Sequence, residues 1–196
     1  IEHKGTNDLV SYVDKESEKQ IVEGLKQISP EAGFVTEEGT ETNSENKDLY
    51  WVVDPLDGTT NFLHSLPVFS ISIGLISNGD VVVGVVYEVN KDECFTAYKG
   101  GGAFCNSKKI SISPIIKLQE SLIATGFPYS LLGKDDAYFE IMKSLQNHSH
   151  GVRRLGSAAV DLCYVACGRF EAYYEFNLKP YDVTAGILIV QEAGGK

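Results

Sequence analysis

The sequence predicts an α+β fold, with an antiparallel-sheet half over residues 1–116, a mixed αβ half over 117–196, and a cleft between them. Two patterns predict it. Between Phe69 and Cys105, short β-rich runs are separated by turns rich in Gly and Asn. Beyond Ile116, helical and strand patterns alternate.

The elements follow in chain order. From Asp14 to Ser29, the residues Ile21, Val22, Leu25 and Ile28 recur on one helical face, and Pro30 closes the segment. Phe34-Val35-Thr36 reads as a short strand running into Glu37-Glu38, and the polar stretch to Asp48 as a mobile loop. Leu49 to Val53 is a continuous apolar run of strand length that ends at Asp54-Pro55. Phe69 to Ile76 and Val81 to Tyr87 flank Asn78-Gly79, which supplies the positive φ angles of a tight hairpin. Cys94 to Tyr98 and Ala103 to Cys105 form a second hairpin across Gly100-Gly101-Gly102. That triple glycine has no following Gly-Lys-Ser/Thr and opens no helix, so it reads as a turn and not as a phosphate-binding loop. Ser121 to Thr125 then reads as a strand, Ala137 to Leu145 and Ser157 to Ala166 as helices, Arg169 to Phe176 as a strand and Val183 to Ala193 as a helix.

Composition narrows the function classes. The 196 residues suffice for one or two domains with a sizeable core, and 43% hydrophobic with 22% charged residues is an ordinary globular balance. With 27 acidic against 17 basic side chains the net charge is −10, which leaves no electrostatic footprint for nucleic acid or an anionic membrane. Lys108-Lys109 and Arg153-Arg154 read as solvated turns or local anion contacts. No apolar run approaches the ~20 residues of a membrane span. Cys94, Cys105, Cys163 and Cys167 contain no CxxC pair and no leader pattern precedes them, so reduced thiols in the cytoplasm are expected. Cys163 and Cys167, four apart in an Ala-rich helix, read as small core residues, and His148-x-His150 as exposed loop. The chain opens at Ile1 and closes at Lys196 after Gly194-Gly195, and is read as a fragment.

The chemistry concentrates in Trp51-Val52-Val53-Asp54-Pro55-Leu56-Asp57-Gly58-Thr59-Thr60-Asn61-Phe62. A buried strand presents two carboxylates at its end, and Pro55 with Gly58 turns Asp54, Asp57 and the Leu56 carbonyl toward one volume. Unpaired carboxylates so placed need a proton or a cation among them, and an all-oxygen set suits Mg²⁺ over zinc. A plain Asp-Pro-x-Asp-Gly turn accounts for the spacing equally well. Glu37-Glu38 after the short strand and Asp182 at the head of an apolar helix could complete a site. Taken alone, the first is also a charged loop edge and the second an N-cap.

The run Asp54-Pro55-Leu56-Asp57-Gly58-Thr59-Thr60-Asn61-Phe62, with Trp51 before it and Pro67 after it, resembles the first signature of the inositol monophosphatase family. Tyr181-Asp182-Val183-Thr184-Ala185-Gly186, running to Glu192-Ala193-Gly194-Gly195, resembles its second, with Tyr181 where Trp is usual. Lys4 to Asp14 and Arg153 to Ala159 are similar to other family segments, so the likeness covers essentially the whole chain. It implies a layered αβαβα sandwich of the sugar-phosphatase type and Mg²⁺-dependent, lithium-sensitive hydrolysis of a small phosphate monoester, inositol-1-phosphate first. By the same likeness Glu37, Asp54 and the Leu56 carbonyl would hold one Mg²⁺, and Asp54, Asp57 and Asp182 a second, with Glu37 helping a weaker third. Thr59 with Asp14 would orient and deprotonate the attacking water, and the Gly58 and Thr59 backbone would meet the phosphate. Ser157, Ala158 and Glu175 would line the substrate side, with Lys4 near the site. A homodimer is implied, as are further helix before Lys4 and a further strand and helix after Gly195. Fructose-1,6-bisphosphate, 3′-phosphoadenosine 5′-phosphate and histidinol phosphate are the alternative substrates. A non-catalytic partner role in transcription is the alternative of another class.

Overall fold

The computed structural model describes residues 2–3, 9–10, 12–39, 48–127 and 135–196; Lys4 and most of the polar loop before Asp48 lie outside the described residues. Strands β1 (Glu2–His3) and β2 (Leu9–Val10) pair with each other, and helix α1 (Tyr12–Ile28) follows. Next come β3 (Gly33–Thr36), β4 (Leu49–Asp57), the single helical turn α2 (Thr59–Leu63), β5 (Ser70–Ser77), β6 (Asp80–Glu88), β7 (Glu93–Tyr98), β8 (Gly102–Cys105) and β9 (Lys108–Lys109). The chain continues with β10 (Leu122–Thr125), α3 (Asp135–His148), β11 (Gly151–Arg153), α4 (Ala158–Ala166), β12 (Ala172–Tyr174) and α5 (Pro180–Glu192).

Strands β3 to β9 form one sheet in sequence order, and β11-β10-β12 a smaller parallel one. The large sheet is antiparallel except at its β3–β4 edge, where the pair is parallel. The hairpin turn has positive φ at Asn78 (52°) and Gly79 (85°), as their residue types require.

Helix α1 covers one face of the large sheet, burying Val22 and Leu25 against Phe34, Trp51 and Val53. The indole Nε1 of Trp51 donates to Ser29 Oγ at 2.7 Å and ties the helix end to β4. On the opposite face lie α5 and α4. One continuous core joins Val86, Phe95, Ala97 and Ala103 of the large sheet to Val160 and Cys163 of α4, Leu188 and Ile189 of α5, and Ala124 of the small sheet. With α4 packed on β12 and α3 on β11, the layering is αβαβα. The four cysteines are free thiols, and Cys163 is fully buried in that core.

The seating of α5 is set by glycines. Gly74 and Gly84 face each other across β5 and β6. A Cβ on Gly84 would stand 2.7 Å from the Ala185 carbonyl oxygen, and one on Gly74 2.5 Å from Thr184 Cγ2, so the helix rides directly on bare backbone. The Gly100-Gly101-Gly102 turn grips the other end of α5. Its Gly100 and Gly102 amides donate to the Glu192 carboxylate at 2.7 and 2.8 Å, so the turn is an internal anchor. Strand β12 is shorter than the Arg169 to Phe176 run that the sequence suggests. The amides of Arg169 and Phe170 bond the Tyr164 carbonyl and terminate α4, which leaves Ala172 to Tyr174 to pair with β10. Among the described residues no helix is long and apolar enough to cross a membrane.

Candidate active site

Strand β4 does not stop at Asp54-Pro55; its pairing with β5 continues to Asp57. Past Val53 its other edge no longer faces β3, so the missing N–H of Pro55 breaks no ladder bond. Between the pairs Asp54↔Ser72 and Asp57↔Ser70, β4 has one residue more than β5. That bulge has a chemical result. In a regular strand, residues three apart point to opposite faces, whereas the extra residue restores the parity and brings Asp54 and Asp57 to one cavity. The Leu56 amide donates to Asp54 Oδ1 at 3.0 Å and closes the loop locally.

Gly58 then turns the chain with φ +98°, and a Cβ there would meet the Val68 and Gly156 carbonyl oxygens at 3.1 and 3.2 Å. Thr59 opens α2, and its hydroxyl is 2.9 Å from Asp14 Oδ1 and 3.0 Å from the Leu56 carbonyl oxygen. Asn61 is buried and donates to the Val68 and Leu155 carbonyls, stapling this turn to the segment that leads into α4. Asp57 reaches across to α4, where it accepts from Ser157 Oγ at 2.5 Å and from the Ala158 and Ala159 amides at 3.3 and 2.7 Å. Asp182 sits one turn inside α5, not at its N-cap as expected. Lys179 is the N-cap, and its amide donates to Asp182 Oδ2 at 2.5 Å. Glu175 follows β12, accepts from the Tyr173 hydroxyl, and lies against Gly126, where a Cβ would fall 1.7 Å from Glu175 Oε2.

Glu37, Asp54, Leu56, Asp57, Gly58, Thr59, Ser157, Ala158, Glu175 and Asp182 all line this one cavity of about 130 Å³. Asp14 is fully buried behind it and touches it through Thr59. The cavity also draws in Gly126, Phe127, Asp161 and Leu178, which lie outside the motifs, and Arg154, to which the sequence reading assigns no role in the site. Arg154, read from sequence as half of a basic pair on a turn or at a local anion contact, lies over the Phe127 ring at 5.8 Å and brings a positive charge to an acidic wall. Asp161 had a legible signal in its ionisable side chain within the apolar Ala158–Ala166 run.

The electrostatics are those of crowded carboxylates. Burial, then the charges of Glu37, Asp57 and Asp182, push Asp54 well above the usual carboxylate range. Burial pushes Asp57 up to about 7, against the opposing pull of the Ser157 and Ala159 hydrogen bonds. Asp182 and Glu175 are likewise raised by burial. Asp161 is pushed up to about 9 by burial, then by the charges of Asp57 and Glu175, with Arg154 opposing. Among the described residues the ionisable side chains stand around the cavity without three of them converging on one coordination point. The donor set is nevertheless all oxygen, four carboxylates with one carbonyl, and its mutual repulsion is what a hard divalent cation relieves.

The chain is similar to known proteins over nearly its whole length. The sequence matches the model of the inositol monophosphatase family over residues 1–196. It is 42% identical over 192 residues to an inositol-1-monophosphatase of Mesorhizobium japonicum, covering 98% of this chain and 72% of that one. It is 43% identical over 192 residues to the Nus factor SuhB of Pasteurella multocida, with the same coverage of each. Among solved structures, the extragenic suppressor protein SuhB of Bartonella henselae superimposes with a TM-score of 0.94 at 43% identity, over 99% of this chain and 74% of that one. An IMPase/NADP phosphatase complexed with Mg²⁺ and phosphate superimposes with a TM-score of 0.85 at 27% identity, over 99% of this chain and 72% of that one.

Proposed function

Because the chain belongs to the inositol monophosphatase family, we propose that its cavity hydrolyses a small phosphate monoester, inositol-1-phosphate first, with two or three Mg²⁺ ions per site. The observation that carries this reading is the bulge in β4, which turns Asp54 and Asp57 to the cavity that Glu37, Asp182 and the Leu56 carbonyl also line. In our assignment Glu37, Asp54 and Leu56 O would hold one ion and Asp54, Asp57 and Asp182 a second, with Glu37 helping a third. When bound, the ions supply Lewis-acid stabilisation to an in-line displacement at phosphorus. They also reverse the local charge, so a protein of net charge −10 accepts an anionic ester.

The chain's own groups supply the rest. The Thr59 hydroxyl, donating to Asp14, keeps lone pairs with which to accept from the attacking water, and Asp14 is the acceptor to which that proton drains. The Gly58 and Thr59 backbone faces the phosphate, and Ser157, Ala158 and Glu175 face the alcohol. Beyond the site, we propose a homodimer in the cytoplasm, inhibition by Li⁺, and a division near residue 116 into a half that carries most ligands and a half that carries Asp182 and the substrate side. The free thiols support the compartment, the family likeness the dimer and the Li⁺ inhibition, and the change from hairpins to alternating helices and strands the division.

The test is Mg²⁺-dependent phosphate release from inositol-1-phosphate, fructose-1,6-bisphosphate, 3′-phosphoadenosine 5′-phosphate and histidinol phosphate, compared through kcat/KM. A clear preference for the first is expected, and preference for another reassigns the substrate. Hydrolysis of none, with metal bound and the fold intact, favours the second reading, a regulatory partner, which the Nus factor names of similar proteins support.

Proton linkage gives a second expected result. Because the folded-state pKa of Asp57 is about 7 and that of Asp54 is also raised, the folded chain binds more protons than the unfolded one above the ordinary value of about 4. Stability of the metal-free protein therefore falls as pH rises through the window from about 4 to 7. Mg²⁺ replaces those protons, so it should raise Tm more at pH 8 than at pH 5.5. A Mg²⁺ effect on Tm that is independent of pH would place the ions away from these carboxylates.

A further inference from the structure

Asp161 lies in the first turn of α4, one turn beyond Ser157 and Ala158 and on their side of the helix. It is 1% exposed, and its Oδ1 has no hydrogen-bond partner among the described residues, although it lines the cavity. A buried carboxyl oxygen left unpaired is costly, and nothing in packing calls for one, since the rest of the Ala158–Ala166 helix is apolar. Glu175 lines the same cavity, and its charge is felt at Asp161, with Arg154 the opposing cation. Glu175 is itself fixed by the Tyr173 hydroxyl and the bare backbone of Gly126. The two carboxyls therefore stand on different elements around a space that can receive hydroxyl groups.

We propose that Asp161 is a specificity-determining residue that hydrogen-bonds a hydroxyl of the substrate's polyol moiety, so that with Glu175 it selects monophosphates bearing free hydroxyls away from the phosphate. The proposal rests on the phosphatase reading above and extends it to the substrate class. Burial pushes the Asp161 carboxyl up to about 9, and in its protonated form a carboxyl both donates and accepts, which matches a hydroxyl.

The experiment compares kcat/KM for inositol-1-phosphate, which is rich in hydroxyls, with phenyl phosphate, which has none, in wild type, Asp161→Leu, Asp161→Ala and Asp161→Asn. Leu keeps the branching of the side chain without its polar atoms, Ala cannot clash if Leu fails to fold, and Asn keeps a donor and an acceptor. Asp161→Leu and Asp161→Ala are expected to lose about tenfold on inositol-1-phosphate, the scale of one hydrogen bond, and to stay within about twofold on phenyl phosphate. Asp161→Asn should stay within about threefold on both, and Asp161→Leu should melt no lower than wild type. Equal losses on the two esters, or no loss on either, would overturn the proposal by making Asp161 a fold residue or a water ligand. Wild type that hydrolyses neither ester would instead overturn the phosphatase reading, and the proposal with it.

Discussion

Replacing Asp54 by Asn is expected to lower kcat/KM by at least about 10³-fold at saturating Mg²⁺ while the protein stays folded. Our assignment gives Asp54 to two ions at once, and loss of metal stabilisation worth several kcal/mol corresponds to three decades or more. The fold should survive for local reasons. The Leu56 amide needs only an acceptor at Oδ1, which Asn retains. The new amide group finds an acceptor in Glu37, which already hydrogen-bonds Asp54. Removing one buried charge from a cluster of carboxylates should also raise the Tm of the metal-free protein. Steady-state kinetics with a melting curve decides the matter. More than a tenth of wild-type activity in the variant would place the ions elsewhere.

Gly84→Ala should damage stability and activity together, without touching a site residue. Its Cβ would press on the Ala185 carbonyl oxygen and Cα, backbone atoms that cannot rotate away, so α5 must lift from the sheet. Overpacking of this kind costs about 1–3 kcal/mol, or a Tm lower by roughly 2–12 °C in a chain of this size. Asp182 stands three residues past the N-cap of that helix, and the Tyr181 carbonyl beside it is held by Ser72 Oγ of β5 at 3.3 Å. A shift of about 1 Å there can cost 10²-fold in rate, and we expect a loss of at least tenfold in kcat/KM. Gly24→Ala is the contrasting substitution. It lies exposed in α1 with open space around its Cβ position, so it should stabilise by up to about 1 kcal/mol and leave turnover unchanged. A wild-type Tm and rate for Gly84→Ala would show that the helix does not ride on the glycine pair.

The lesson of the β4 end is how far a motif can be read without its fold. Spacing alone leaves Asp54-Pro55-Leu56-Asp57-Gly58 open between an ordinary turn and a cation site, because residues three apart on a strand should diverge. The bulge that makes them converge is a register relation with Ser70 and Ser72, residues well outside the motif. Asp182 is similar. Its place at a helix head was legible, but its position one turn inside rather than at the cap depends on Lys179 and Pro180 opening the helix first.

What the sequence determined by itself lay within one turn or one hairpin. The helix faces of α1, the Asn78-Gly79 turn and the strand texture depend on neighbours in the chain, where propensity and periodicity act. Only the tertiary structure decided which distant groups share a volume. It brought Asp14 to Thr59, Asp57 to the amides of α4, Glu175 to Gly126, and Arg154 and Asp161 to the cavity wall. Those contacts span parts of the chain far apart in sequence and are set by sheet register and by the close seating of helices on glycine, and neither leaves a periodic mark in the segment it moves.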